Sequence, residues 1–216
     1  MTSLASVTLA AAALMTVMPA RPLSQAAGAN ELDQRVRSFL DRHRNDWHDM
    51  NVPEVDGRTL HGLILKHRSQ RAVEIGTSTG HSGIWIAWAL SKTGGKLVTI
   101  DIDPRRHATA VANFREAGLA DYIDARLGDA HEIVPRLEGP IDFVFSDADK
   151  DWYARYLEAL WPKLRPGACF TAHNVSSPGM SGISEFLARV RALPDGETTI
   201  DTSSSAGISI TYKKPR

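Results

Sequence analysis

Polar side chains recur where five successive predicted strands end. The first strand is a short apolar run, Ala72 to Ile75, and a turn bracketed by Gly76 and Gly80 follows it. In an open α/β sheet, ligands bind beyond the carboxyl ends of the strands, so polar groups at these ends can contact a ligand. Polar side chains at five successive strand ends would be unusual in a sheet with only a structural role. The pattern therefore predicts a ligand-binding site. The five ends carry Glu74, Thr77 and Thr79; Asp101; Asp129 and His131; Asp147, Asp149 and Lys150; and His173 and Asn174.

The turn from Gly76 to Gly80 has the chemistry of a site for a polar or anionic group. It joins a buried strand to a helix that begins near Ser82, so backbone N–H groups and the helix dipole face the ligand. Asp101 follows about 20 residues later, the spacing at which a carboxylate can accept hydrogen bonds from ribose hydroxyls. The turn reads G-x-x-x-G rather than G-x-G-x-x-G, which counts against a dinucleotide-dependent dehydrogenase.

Strand and helix patterns alternate from Arg71 onward. Apolar runs rich in β-branched residues predict strands at 71–75, 96–101, 122–127, 141–146, 168–173, 197–202 and 207–213. Helices are predicted at 81–91, 104–117, 130–137, 151–163 and 182–193, and Pro104 and Gly118 mark the ends of the second. The alternation predicts an α/β fold with a mostly parallel sheet and helices on both faces. The short link between the last two strands predicts a hairpin and an antiparallel last strand.

Two amphipathic segments precede this alternation, at residues 31–47 and 59–67. Helices in this position commonly cap a sheet edge or form a lid. The first 30 residues differ, because an apolar and uncharged stretch at 4–18 is followed by small polar residues. They suggest a secretory signal peptide, although the start of the chain has no Lys or Arg. A disordered extension, or a helix packed on a partner subunit, is the alternative, and residues 31–216 are expected to form one domain.

Composition excludes several classes of protein. The 216 residues carry 25 basic and 25 acidic side chains with no basic stripe, which argues against a nucleic-acid partner. Cys169 is the single cysteine and lies in an apolar run, so we expect an inert core thiol and no cysteine-based zinc site. No apolar run approaches the length of a membrane span. We expect a small-molecule substrate.

Five segments in order resemble the cation-dependent O-methyltransferases, the catechol and caffeoyl-coenzyme A enzymes and their bacterial relatives. They are VEIGTSTGHSG, VTIDIDP, GDAHEIVP, FVFSDADKDWYARYLEALWPKLRPG and HNV. The resemblance covers about residues 47 to 175. It implies a Rossmann-like sheet of seven strands with the last antiparallel, and S-adenosylmethionine as the methyl donor. It also implies that Met50 and Val52 belong to a segment that contacts the cofactor.

The resemblance gives roles to individual residues. It implies that Asp101 binds the ribose, that Gly128, Asp129 and Ala130 lie by the adenine, and that Asp147 binds a divalent cation. Lys150 is then the general base. The full set expected to bind the cofactor is Met50, Val52, Glu74, Gly76, Thr77, Thr79, Gly80, Ser82, Asp101, Gly128, Asp129, Ala130 and Asp147. His81 and His131 are expected to be polar groups near the cofactor rather than catalysts.

The chain departs from this family at the fifth strand. The family carries Asp-Asn there as metal ligands, whereas this chain has His173-Asn174. A site of Asp147, His173 and Asn174 has one carboxylate fewer and suits Mn²⁺, Fe²⁺, Co²⁺ or Zn²⁺ better than Mg²⁺. His173 is alternatively a general base with no metal present. Lys150 and His173 are therefore the two catalytic candidates.

The resemblance leads to three hypotheses. The first is an O-methyltransferase that acts on a small aromatic diol, where a metal lowers the pKa of the hydroxyl and Lys150 or His173 takes the proton. The second is a metal-independent methyltransferase that uses His173 as base, and the third is a non-catalytic protein that binds S-adenosylmethionine. Relatives are often dimers, so the resemblance is compatible with a homodimer, and the sequence leaves the oligomeric state open. We expect a cytoplasmic location, or export if residues 1–30 are a signal peptide.

Overall fold

Strands and helices alternate along the chain in a computed structural model that describes residues 23–48, 50–177 and 179–215. The strands are β1 (Arg71–Ile75), β2 (Lys96–Asp101), β3 (Ile123–Leu127), β4 (Ile141–Ser146), β5 (Leu164–His173), β6 (Gly196–Asp201) and β7 (Ile208–Lys213). The α-helices are α1 (Leu23–Arg42), α2 (Glu54–His67), α3 (His81–Thr93), α4 (Pro104–Glu116), α5 (Ala130–Ile133), α6 (Tyr153–Leu160) and α7 (Ile183–Arg191).

The seven strands form one sheet in the order β3-β2-β1-β4-β5-β7-β6. The pairs from β3 to β5 are parallel, whereas β7 is antiparallel to both β5 and β6. The predicted Rossmann-like α/β fold, the hairpin and the antiparallel last strand are therefore confirmed. β7 lies inside the sheet, and its partner β6 forms the edge.

Both faces of the sheet are buried, which explains the near-continuous apolar sequence of the central strands. Val73 points to one face and belongs to the cluster that includes Phe186 of α7. Ala72 points to the other face and belongs to the cluster that includes Leu60 of α2 and Ile86 of α3. β1 therefore packs against helices on both faces of the sheet.

Cys169 lies in β5 within this core and is 1% exposed. Burial raises the pKa of its thiol to about 12. A thiol with so high a pKa is rarely ionised near neutral pH, and the thiolate is the reactive form. The residue is the inert core thiol that the sequence predicts.

Two of the predicted helices are shorter than expected, and each ends in a 3₁₀ turn that contains a proline. The predicted helix at 130–137 consists of α5 and a 3₁₀ turn, Val134–Arg136, that contains Pro135. The predicted helix at 151–163 is α6 flanked by 3₁₀ turns at Lys150–Trp152 and Trp161–Lys163, and the second of these contains Pro162. Proline lacks the N–H that would continue an α-helix.

The leading helices begin earlier than predicted. α1 starts at Leu23 and α2 at Glu54, directly after Pro53. Most of the predicted signal peptide, residues 1–22, lies outside the described residues, and α1 begins inside its remainder. No helix in the part of the chain that the structure describes is long and apolar enough to cross a membrane.

Two glycines of α2 allow a matched test of helix packing. A Cβ on Gly57 would overlap the indole ring of Trp85 in α3, whereas a Cβ on Gly62 has nothing within 4 Å. We expect Gly57→Ala to lower the free energy of unfolding by about 1–3 kcal/mol through overpacking. Gly62→Ala should raise it by up to about 1 kcal/mol because alanine favours the helix. Urea unfolding of both variants measures this, and equal stability of the two would contradict the packing argument.

Candidate active site

A crevice of about 440 Å³ opens beyond the carboxyl ends of β1, β2 and β4. It lies where the fold places ligands in open α/β sheets. Six of the residues predicted to bind the cofactor line it, namely Met50, Gly76, Asp101, Asp129, Ala130 and Asp147. The structure therefore brings these residues from five separate segments of the chain to one cavity.

Gly76 allows the turn after β1 to approach the end of β4 closely. Its φ is +96°, and a Cβ there would lie 2.6 Å from the carbonyl oxygen of Asp147. The N–H of Asp147 donates a 2.8 Å hydrogen bond to the carbonyl of Ile75. Any larger residue would separate the two strand ends, so glycine at this position joins the turn to the Asp147 side of the crevice.

Asp101 is fixed at the end of β2 by two backbone hydrogen bonds. Its Oδ2 accepts from the N–H of Ser78 at 2.7 Å and its Oδ1 from the N–H of Asp103 at 2.9 Å. Ser78 has a φ of 48°, in the left-handed region that non-glycine residues rarely adopt. Each carboxylate oxygen retains a lone pair, so Asp101 can also accept from hydroxyls of a ligand.

The crevice is acidic. Asp101, Asp129, Asp147 and Asp149 line it, and Arg106 is the arginine among its lining residues. A cavity lined mainly by one sign of charge attracts ligands of the opposite sign. The lining therefore favours a ligand with a positive charge.

Several predicted cofactor residues do not line this crevice. They are Val52, Glu74, Thr77, Thr79, Gly80, Ser82 and Gly128. Val52 and Thr77 are 2% and 1% exposed. The Thr79 hydroxyl accepts a 2.7 Å hydrogen bond from the Asn51 side chain, which ties the segment that contains Met50 to the turn.

Glu74 is fully buried beneath α3. Burial raises the pKa of its carboxyl to about 8, although hydrogen bonds from Ser82 and Thr99 act in the opposite direction. The Thr99 hydroxyl donates to its Oε2 at 2.6 Å. Its Oε1 is buried without a hydrogen-bond partner. The carboxyl is therefore mostly protonated at neutral pH.

Asp147 lies between a lysine and a histidine. Its Oδ1 accepts a 2.8 Å hydrogen bond from Nζ of Lys150, and its Oδ2 lies 3.2 Å from Nδ1 of His173. The Asp147 and His173 side chains are 11% and 6% exposed. Asn174 follows at a φ of 59° and is half-buried. The structure thus brings Asp147, Lys150 and His173 together at one side of the crevice, with Asn174 adjacent in the chain.

His173 also contacts a carboxylate that the sequence did not suggest. Its Nε2–H donates a 2.8 Å hydrogen bond to Oδ2 of Asp56, which is 2% exposed. Burial lowers the pKa of the imidazole, but the nearby carboxylates of Asp147 and Asp56 outweigh it and raise the pKa to about 9. Without a metal, the two carboxylates therefore favour the cationic form of His173.

A divalent ion between Asp147 and His173 is compatible with the donor atoms. Nδ1 of His173 is buried and has no partner in hydrogen-bond geometry. Its 3.2 Å distance from Asp147 Oδ2 is close to the ~3 Å that separates two ligands about 2.1 Å from one ion. Asp56 accepts a hydrogen bond from the other ring nitrogen, Nε2, and a carboxylate often has this role next to a metal-bound imidazole.

Few side chains in this region could act as metal ligands. Among residues 23–48, 50–177 and 179–215, no group of three or more His, Cys, Asp or Glu side chains is arranged to hold a metal. A site here would comprise one carboxylate, one imidazole and the amide of Asn174. An ion at Nδ1 would also displace the proton held there, because ligand imidazoles are neutral.

Two histidines outside the reaction centre have different positions. His131 lines the crevice and stacks on Trp152, with ring centroids 3.6 Å apart. His81 does not line it. Its ring is buried, stacks on Trp47 and lies 2.8 Å from the carbonyl of Val52 through Nδ1. Both histidines were expected near the cofactor, and of the two His131 lies on the crevice wall whereas His81 does not.

Sequence reasoning missed Asp56 and Arg106. For Asp56 a signal existed, because it shares the buried face of α2 with Leu60 and Ile64, at spacings of four residues. A carboxylate on the apolar face of a helix is rarely buried without a specific partner. For Arg106, at the start of α4, the sequence contained no comparable signal.

The raised pKa of Glu74 predicts how stability changes with pH. The carboxyl ionises near 4.5 when unfolded and near 8 when folded, so unfolding releases a proton between these values. Glu74 should therefore make the free energy of unfolding fall as pH rises through this window, by up to about 1.4 kcal/mol per pH unit. Glu74→Gln should remove this decline.

Urea unfolding between about pH 5 and pH 9 tests this expectation, because the difference between the two proteins isolates the one carboxyl. Glu158→Gln, which changes an exposed glutamate paired with Arg189, is the control and should keep the wild-type slope. An unchanged slope in Glu74→Gln would show that Glu74 is ionised in the folded protein.

The chain matches a family of known proteins over most of its length. A family model described as O-methyltransferase matches residues 24–182. The chain is 37% identical over 166 residues to a catechol O-methyltransferase of Niastella koreensis, which covers 70% of this chain and 75% of that protein. It is 33% identical to caffeoyl-CoA O-methyltransferase 1 of Eucalyptus globulus, covering 62% of this chain and 55% of that protein.

Solved structures share the fold. An O-methyltransferase from Bacillus cereus in complex with SAH has a TM-score of 0.71 at 26% identity, over 92% of this chain and 94% of that chain. The O-methyltransferase TomG from Streptomyces achromogenes, in complex with SAM, has a TM-score of 0.70 at 27% identity, over 89% and 96%. The chain belongs to the O-methyltransferase family and is a class I S-adenosylmethionine-dependent methyltransferase.

Proposed function

We propose that this protein transfers the methyl group of S-adenosylmethionine to a hydroxyl of a small catechol-like aromatic compound, assisted by a divalent cation at Asp147, His173 and Asn174. One observation carries the proposal. Asp147 lines the crevice and also contacts Lys150 and His173. A methyl donor in the crevice and an acceptor beside Lys150 would therefore meet at one carboxylate.

The crevice suits S-adenosylmethionine. Its four aspartates favour the positively charged sulfonium compound over the product, which loses that charge. Asp101 is placed to accept hydrogen bonds from ribose hydroxyls. Ile102 lines the crevice next to it, and its 68% exposure offers an apolar surface to the adenine.

Methyl transfer is an in-line displacement. The bond between the acceptor oxygen and the methyl carbon forms while the bond from carbon to sulfur breaks, and that electron pair stays on sulfur. The hydroxyl must lose its proton, and Nζ of Lys150 in its neutral form would take it. A bound divalent ion lowers the pKa of a hydroxyl that it contacts. Holding oxygen, carbon and sulfur in line supplies much of the remaining rate.

The names of the relatives support a catechol-like acceptor. Two of them, from Niastella koreensis and Mycobacterium tuberculosis, are catechol O-methyltransferases, at 37% and 35% identity. Adjacent hydroxyls can chelate one ion, which relates the substrate class to the proposed metal. Met50 lines the crevice and is 77% exposed, so it offers an apolar contact to an aromatic ring.

A metal-independent reaction is the alternative, and the charge of His173 decides whether this residue can act as its general base. Two carboxylates raise the pKa of the imidazole to about 9. A base must be unprotonated at the working pH, so this counts against His173 as a general base near neutrality. In a metal-free reaction the imidazolium would instead supply positive charge beside Asp147.

Turnover with and without a chelator tests the proposed reaction. With S-adenosylmethionine and a panel of catechols, we expect release of S-adenosylhomocysteine and a methylated catechol. A chelator should lower the rate at least about tenfold, because the hydroxyl loses its activating ion. Mn²⁺ or Co²⁺ should restore the rate better than Mg²⁺, since one ligand is an imidazole. Phenols with a single hydroxyl are the control and should react poorly.

Each result of this experiment decides one part of the proposal. Turnover that a chelator leaves unchanged would contradict metal assistance and leave the metal-independent alternative. No methylated catechol with any of these ions would contradict the substrate class.

Asp101→Asn tests the cofactor side separately. Loss of the charge should weaken binding of S-adenosylmethionine by roughly 10–100-fold, the usual effect of losing one charged hydrogen-bond partner. Asp124→Asn is the control, because Asp124 in β3 is exposed and pairs with Arg126. Calorimetric titration measures both. Equal affinity of Asp101→Asn and wild type would contradict a ribose contact at Asp101.

A further inference from the structure

We infer that Asp56 is a positioning residue for the reaction centre, which acts through His173 and is itself held by Ser204. The inference rests on the proposed place of His173 beside the acceptor. It adds two segments to the site, the first turn of α2 and the loop between β6 and β7. Neither segment belongs to the strand ends that carry Asp147 and His173.

The burial of Asp56 requires an explanation. Its side chain is 2% exposed on the apolar face of α2. A carboxylate that leaves water loses several kcal/mol of hydration unless partners replace it. Its side-chain partners among the described residues are His173, whose Nε2 lies at 2.8 Å, and Ser204, whose hydroxyl donates at 2.8 Å. Both bonds reach the same oxygen, Oδ2.

Asp56 lies at the positive end of its helix. It is the third residue of α2, where unpaired backbone N–H groups give the helix end a positive potential. The buried carboxylate of Asp56 therefore lies at a helix N-terminus and accepts hydrogen bonds from a hydroxyl and from an imidazole. A residue that only attached α2 to the sheet would not need a charge, since an apolar side chain would do so at lower cost.

The hydrogen bond from Asp56 fixes what His173 presents to the crevice. A carboxylate that accepts from Nε2 keeps a proton on that nitrogen and sets the plane of the ring. The opposite nitrogen, Nδ1, then faces Asp147 Oδ2 at 3.2 Å. Without Asp56 the ring can rotate about its bond to Cβ and turn Nδ1 away from Asp147. This control of the ring applies whether Nδ1 binds an ion or carries a proton.

Ser204 adds a constraint from a distant part of the chain. It lies 148 residues after Asp56 and in the loop that joins β6 to β7. β7 pairs with β5, and Ile208 of β7 lies opposite His173. The β6–β7 hairpin therefore contacts His173 through strand pairing with β5. It also contacts Asp56, the carboxylate that binds His173, through Ser204. Movement of this loop would change the orientation of His173.

Substitution of Asp56 in the full-length protein tests the inference. Asp56→Asn should lower kcat for a catechol about 10–100-fold, the usual effect of removing a carboxylate behind a functional imidazole. The affinity for S-adenosylmethionine should not change, because Asp56 does not line the crevice. Ser204→Ala should have the same pattern with a smaller loss. Glu54→Gln, the same chemical change at an exposed residue of α2, is the matched control and should behave as wild type.

A spectroscopic readout separates positioning from simple stabilisation. In ¹⁵N–¹H spectra, the Nε2–H of His173 should give a signal that exchanges slowly with solvent, assigned by its absence in His173→Gln. Asp56→Ala should lose this signal. Loss of the signal together with wild-type affinity for S-adenosylmethionine supports the inference. A preserved signal, or a wild-type kcat in Asp56→Asn, would overturn it.

The same spectra distinguish this inference from the proposed function. If no catechol is methylated by the wild-type protein, the substrate proposal fails. A slowly exchanging Nε2–H that depends on Asp56 would still support the positioning role. If catechols are methylated at the wild-type rate by Asp56→Asn, the substrate proposal stands and the positioning role fails.

Discussion

The close contact between Gly76 and the backbone of Asp147 is the constraint on which the site depends. A hydrogen bond from the Asp147 N–H to Ile75 and the absence of a side chain at Gly76 hold the ends of β1 and β4 together. In the proposed reaction, the turn after β1 would contact the methyl donor and Asp147 would lie beside the acceptor. The distance between donor and acceptor would then be set mainly by the backbone contact at Gly76 rather than by side-chain contacts.

Charge is distributed unevenly around this contact. The crevice wall is mainly acidic, whereas Lys150 and His173 place two basic groups on the far side of Asp147. In the proposed reaction, the sulfonium ion would be attracted to the acidic side, and an acceptor that loses a proton would be stabilised on the basic side. The reaction neutralises the sulfonium, so the acidic wall that helps to bind the substrate also weakens binding of the product.

The sequence predicts those parts of the site that depend on local pattern. Asp101 and Asp147 each follow an apolar run, and the fold places the ends of parallel strands at one edge, so both reach the crevice as expected. Asp56 could not be placed in this way. Its partner His173 is 117 residues away, and their contact depends on how α2 packs against β5. The ends of α5 and α6 also differ from the prediction, because prolines convert helical turns to 3₁₀ geometry.

The position of β7 inside the sheet has a consequence for synthesis on the ribosome. β5 ends in His173, and its antiparallel partner on one side is β7, residues Ile208–Lys213. Until that segment leaves the ribosome, one edge of β5 has backbone groups without a partner strand, and such an edge is prone to wrong pairing. The turn after β1 and Asp147 follow strands that can pair earlier. The nascent chain can thus bring the ends of β1 and β4 together before the strand that carries His173 is enclosed.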